Sequence, residues 1–123
     1  MNCIIVEDEF MIALSIKIHL KKSGFETLSI IDTEKDAIAS ILQLKPDFVI
    51  IDENLKHGGS GLNVYQACKS KIDIPFLFIS GGSNETLQKI QHYKCPFLTK
   101  PFLSKDLIEF VNTHTLSKTS HQT

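Results

Sequence analysis

A chain of 123 residues with 42% apolar and 22% charged side chains is long enough for one domain with a core of its own. Thirteen lysines, with no arginine, nearly cancel fourteen acids, and no segment carries the dense basic patch of a nucleic-acid binder. No apolar run approaches the ~20 residues of a membrane span, no signal peptide precedes the first acids at Glu7, and Cys3, Cys68 and Cys95 lack metal or disulfide spacing, which fits reduced thiols in a cytoplasmic protein.

Residues 3–6, CIIV, read as a strand that ends on Glu7, Asp8 and Glu9 and is followed by a helical pattern over 9–22. Residues 27–31, TLSII, form a second apolar run that ends at Asp32. Thr33 with Asp36 three positions on resembles a capping box for a helix over 34–44, a reading that also explains Asp32 most simply. The third run, FVII at 48–51, stops at Asp52; a Gly58-Gly59-Ser60-Gly61 stretch then implies a pliable loop before a helix over 61–71. PFLFI at 75–79 leads into Ser80, Gly81 and Gly82. The pattern over 84–92 is the weak one among the candidate helices, with only Leu87 and Ile90 as core anchors, and reads also as a single turn or a loop. PFLT at 96–99 meets Lys100-Pro101, and a last helix is expected over 103–115. The domain is placed at residues 1–116, with a polar, frayed tail at 117–123.

Apolar runs without alternation suit strands covered on both faces, and a βα unit repeated five times implies right-handed crossovers. The expected fold is therefore α/β, a doubly wound sheet of five parallel strands with a short or degenerate fourth helix. In such sheets function collects at the carboxyl ends of the strands. There the chain places Glu7 and Asp8, Asp52, Ser80, and Lys100. Taken singly, an Asp after a strand is a turn former and a Lys-Pro is a loop; the joint pattern is what departs from that. Converging carboxylates repel, and a hard divalent cation relieves them, Mg²⁺ first and Mn²⁺ on the same oxygen donors. A carboxylate, a metal, a hydroxyl and an ammonium together suit acceptance of a phosphoryl group on Asp52.

At these residues the chain resembles the receiver domain of two-component response regulators, through VEDE at 6–9, VIIDENL at 49–55, FLFISG at 76–81 and FLTKPF at 97–102. The resemblance implies a flavodoxin-like (βα)5 sandwich with Asp52 as phospho-acceptor. It implies Glu7, Asp8, Asp52 and the backbone carbonyl of Asn54 as the metal site. It further implies Ser80 as switch hydroxyl, Lys100 as its paired cation and Phe97 as the aromatic switch. The phosphodonor would be a histidine kinase or a histidine phosphotransfer protein, and the output an unidentified downstream protein, with a homodimer possible on phosphorylation. With little chain left after Lys118, a single-domain regulator is expected, acting through a non-covalent partner. VEDEFMIAL, ENLKHGGSG, IPFLFISGG and CPFLTKPF also resemble the stand-alone FAT GUY group, although Ile79 and Ser80 depart from its motif and the aromatic that follows is absent.

Two other readings use the same residues. Haloacid-dehalogenase-like phosphatases share the nucleophilic Asp, hydroxyl, Lys and Mg²⁺, but need a second Asp where this chain has Asn54, which transfers no proton at neutral pH. A pseudo-receiver would keep the fold and never take phosphate. On the first helix, Ile12, Ile16 and Leu20 form a stripe expected to face the sheet. Met11, Leu14 and Ile18 form a second one, either covered by the last helix or open for kinase docking. Tyr93 is read as core packing beneath the short fourth helix or as part of an output face with Phe97 and Phe110.

Overall fold

The computed structural model describes residues 1–120, with side chains described for residues 1–115. Five strands, β1 (Asn2–Val6), β2 (Glu26–Ile31), β3 (Phe48–Asp52), β4 (Phe76–Ser80) and β5 (Phe97–Thr99), form one parallel sheet in the order β2-β1-β3-β4-β5. Between and after them run α1 (Phe10–Lys22), α2 (Glu34–Leu44), α3 (Gly61–Cys68), α4 (Asn84–His92) and α5 (Ser104–Ser120). The doubly wound α/β architecture expected from the apolar runs is the one observed. Among the described residues, no helix is long and apolar enough to cross a membrane.

Alternate residues of the inner strands feed two cores, which is why the runs show no alternation. Ile4, Val6, Val49, Ile51, Phe76 and Phe78 pack on one face against Ala37 and Ile41 of α2, Leu62 and Val64 of α3 and Ile90 of α4. Cys3, Ile5, Phe48, Ile50, Leu77 and Ile79 pack on the other against Ala13, Ile16 and Leu20 of α1 and Leu107 and Val111 of α5. All five residues of β3 and of β4 are buried, whereas the edge strands β2 and β5 are mostly half-buried.

Three open readings are decided by the fold. The segment 84–92 is short, but it is a nine-residue helix rather than one turn or a loop. Its start is fixed by Ser83, whose hydroxyl accepts from the Thr86 N–H at 3.4 Å, and Ile90 anchors it in the core. Second, α5 does not cover the outer stripe of α1: Met11 is 75% and Ile18 45% exposed, with Leu14 half-buried, because α5 packs beside Ile16 and Leu20 instead. Third, Asp32 caps nothing. Thr33 caps α2, its hydroxyl accepting from the Asp36 N–H at 3.3 Å, while the Asp32 carboxylate turns to Lys56.

Tyr93 is core packing, edge-on to Tyr65, within the cluster that also holds the half-buried Phe97. Phe110 packs into the opposite core.

Candidate functional site

Strand register brings the sequence-read residues together. Val6 pairs with Ile51, Asp52 with Ile79, and Ser80 with Thr99, so the strand ends holding Glu7, Asp52, Ser80 and Lys100 lie side by side. The Glu7 N–H bonds the Ile31 carbonyl of β2, and the Lys100 N–H bonds the Ser80 carbonyl, both at 2.9 Å. A cis peptide joins Lys100 to Pro101.

At the centre, the Lys100 ammonium donates to Glu7 Oε1 at 2.5 Å and to Asp52 Oδ2 at 3.0 Å. Glu7 is 1% and Asp52 5% exposed. The other Asp52 oxygen, Oδ1, accepts from the Asn54 N–H at 3.2 Å, and Glu7 Oε2 accepts from the Asp8 N–H at 3.1 Å. One cation thus serves two buried acids.

Burial pushes the Glu7 carboxyl up to about 8; a hydrogen bond toward Asp52, which only the protonated acid donates, adds to this, and Lys100 opposes it. Burial alone would lower Lys100, but its bonds to Glu7 and Asp52 outweigh that and raise it, so the ammonium stays charged. Oxygens of Glu7, Asp8 and Asp52 all lie within 4.8 Å of one another. A set of hard oxygen donors carrying more negative charge than Lys100 neutralises fits Mg²⁺ or Mn²⁺.

Ser80 is buried at the neighbouring strand end, its hydroxyl accepting from the Gly82 N–H at 3.1 Å. A Cβ on Gly82 would be a tight fit, 3.0 Å from the Thr86 side chain and 3.2 Å from the Ser80 hydroxyl. Phe97 lies half-buried two residues before Thr99. Met11, Leu14 and Ile18 lie on α1, outside this cluster.

Sequence reading missed two supports of Asp52. The half-buried Glu53 carboxylate accepts from the Leu62 N–H at 2.8 Å and from the Ser60 hydroxyl at 2.9 Å, fixing the start of α3. Gly61, read only as part of a pliable run, abuts Asp52: a Cβ on it would come within 2.3 Å of the Asp52 carbonyl oxygen. An acid directly after Asp52 and a glycine at a helix start were the available signals, but neither spacing names a partner. The loop itself is one tight turn over residues 56–59 with His57 and Gly58 both at positive φ, strapped at both ends.

Solved structures with this fold include the signal receiver domain of a modulated diguanylate cyclase from Desulfovibrio desulfuricans G20, at 23% identity and TM-score 0.87, covering 98% of this chain and 97% of that one. A CheY-like receiver domain protein from Methanospirillum hungatei JF-1 aligns at 20% identity and TM-score 0.86 over 98% and 97% of the two chains. The response regulator PhyR from Brucella abortus aligns at 25% identity and TM-score 0.86; 98% of this chain matches 50% of that longer one. The sequence itself matches the response regulator receiver domain over residues 3–112, a match that spans the strand ends holding Glu7, Asp52 and Lys100, and the chain belongs to that family.

Proposed function

We propose that Asp52 accepts a phosphoryl group from a histidine kinase or a histidine phosphotransfer protein, and that the transfer switches a surface read by a downstream protein. The family is one of phospho-accepting signalling domains. The observation that carries the assignment to Asp52 is the Lys100 ammonium held between Glu7 and Asp52 beside Asp8.

An Asp52 oxygen forms the new bond to phosphorus as the phosphorus–nitrogen bond of phosphohistidine breaks, and that electron pair returns to the imidazole. Lys100 offsets charge on the transferring group, and the Asn54 N–H holds the carboxylate in line. Glu7, Asp8, Asp52 and the Asn54 carbonyl would hold Mg²⁺, or Mn²⁺ in its place, which supplies further neutralisation when bound. Asn54 offers no general base, so the product is a phosphorylated carboxylate rather than rapid turnover.

The switch runs through Ser80. Its hydroxyl leaves the Gly82 N–H to meet the phosphoryl oxygens, and Phe97 repacks in the space vacated beneath α4. The exposed Met11 and Ile18, with Leu14, are the docking stripe for the phosphodonor on α1. Three buried, free cysteines accord with work in the cytoplasm.

Intact-mass spectrometry after incubation with acetyl phosphate tests this. A single phosphoryl adduct that needs Mg²⁺ and is lost in Asp52→Asn is the expected result. A folded protein that takes no adduct would be a pseudo-receiver. Steady release of phosphate without an adduct would mean a phosphatase.

A further inference from the structure

The segment that carries Asn54 is held by an ion pair outside the acceptor site. Lys56 Nζ lies 2.8 Å from Asp32 Oδ2, and the Lys56 N–H donates to the Asp32 carbonyl at 3.3 Å. One loop residue is thus tied twice to one residue at the end of β2. Next to it Leu55 is buried, its N–H on the Gly59 carbonyl at 3.0 Å, and the Gly59 N–H returns to the Lys56 carbonyl at 3.1 Å. Farther on, the Ser60 N–H bonds Glu34 Oε2 at 3.0 Å. Asn54 therefore sits between Asp52, which takes its N–H, and a short turn fastened to the β2–α2 junction.

We propose that Lys56 is a positioning residue for the metal: its pairing with Asp32 latches the turn so that the Asn54 carbonyl is presented to the cation. The inference rests on the metal site assigned above. The positive charge of Lys56 also repels a cation, which opposes the latch. The Lys56 ammonium is bonded directly to the Asp32 carboxylate at 2.8 Å, so its charge is met there. Lys56 is also about half exposed, so salt screens what reaches Asp8. Ordering outweighs repulsion, and the latch strengthens metal binding.

The test is a Mg²⁺ titration of the whole chain, followed by backbone amide shifts, together with amide hydrogen exchange in metal-free protein. Lys56→Met and Asp32→Asn should each weaken Mg²⁺ about threefold, in keeping with a half-exposed pair. The double variant should be no weaker than either single one, because the two act as one unit. Lys56→Arg should retain wild-type affinity. Exchange at Leu55 and Gly59 should quicken in both single variants. Unchanged or tighter Mg²⁺ binding in Lys56→Met, additive losses in the double variant, or unchanged exchange would each overturn the latch while the acceptor site stands. A wild-type chain that binds no Mg²⁺ would overturn both the latch and the metal site beneath it.

Discussion

Lys100, at the end of β5, spans the site to pair with Glu7 of the β1 end and Asp52 of the β3 end, the two carboxylates being almost wholly buried. In the metal-free protein it is the cation in contact with both. Lys100→Met should therefore leave the buried Asp52 carboxylate without its cation and cost about 3 kcal/mol, read as a lower urea midpoint. Added Mg²⁺ should recover part of that loss. Phosphorylation by acetyl phosphate should still fall about 10²-fold at saturating Mg²⁺, because the ammonium's stabilisation of the transferring group is gone. A variant equally unstable but phosphorylated at the normal rate would confine Lys100 to a structural role.

Glu7 makes the metal-free protein sensitive to pH. Its carboxyl stands near 8 in the folded chain, against 4.5 when unperturbed, with Asp52, Lys100 and Asp8 around it. Between those values the folded state holds a proton that the unfolded state has released. Stability from this group is therefore complete below pH 4.5 and falls as pH rises, levelling above about pH 8. Metal runs the other way, since binding requires the carboxylate, so Mg²⁺ affinity should climb with pH and then flatten. Urea denaturation at pH 6 and pH 8.5, with and without Mg²⁺, reads both trends. Glu7→Gln should flatten the metal-free profile, and a profile that keeps its slope in that variant would assign it elsewhere.

What could be read from the sequence were features that act along one strand. The runs at 3–6, 48–51 and 75–79 became strands because each feeds both cores, and the cluster of Glu7, Asp52 and Lys100 followed from which residues end the strands. Features joined across the chain were out of reach. Glu53 caps a helix from nine residues away, and Lys56 meets Asp32 across twenty-four. Neither distance matches a helical or strand period. α4 was underrated for a related reason: it buries only Ile90 fully, so its pattern is faint, while the Ser83 cap and the Tyr93 packing that define its ends are local details. The outer stripe of α1 reads somewhat better as buried under α5 than as open for docking, because amphipathicity alone does not say where α5 will lie.

The contact between Gly61 and Asp52 separates two kinds of glycine in one loop. Gly58 adopts φ +74 with open space around it, so Gly58→Ala meets only the backbone penalty, about 1 kcal/mol. Gly61 has ordinary helical geometry, yet a Cβ there would strike the Asp52 carbonyl. Gly61→Ala should cost about 2–3 kcal/mol and displace the end of β3. Phosphorylation should slow in Gly61→Ala and hold steady in Gly58→Ala. Equal rates in the two variants would show that the close approach does not set the acceptor's position.

Met11 offers the cleanest probe of phosphodonor docking. At 75% exposure it carries little of the fold, and it borders a cleft of about 510 Å³ with Ile12, Ile16, Lys100 and Phe102, directly beside the acceptor site. A partner helix that seats an apolar side chain there brings its phosphohistidine toward Asp52. A carboxylate at position 11 would be desolvated by that contact. Met11→Glu should leave the urea midpoint and acetyl phosphate labelling unchanged, because neither uses the cleft. Transfer from a phosphorylated histidine kinase or phosphotransfer protein should drop at least tenfold, about the loss from one buried, unpaired charge at an interface. Equal transfer by Met11→Glu and the parent chain would move the docking surface off α1.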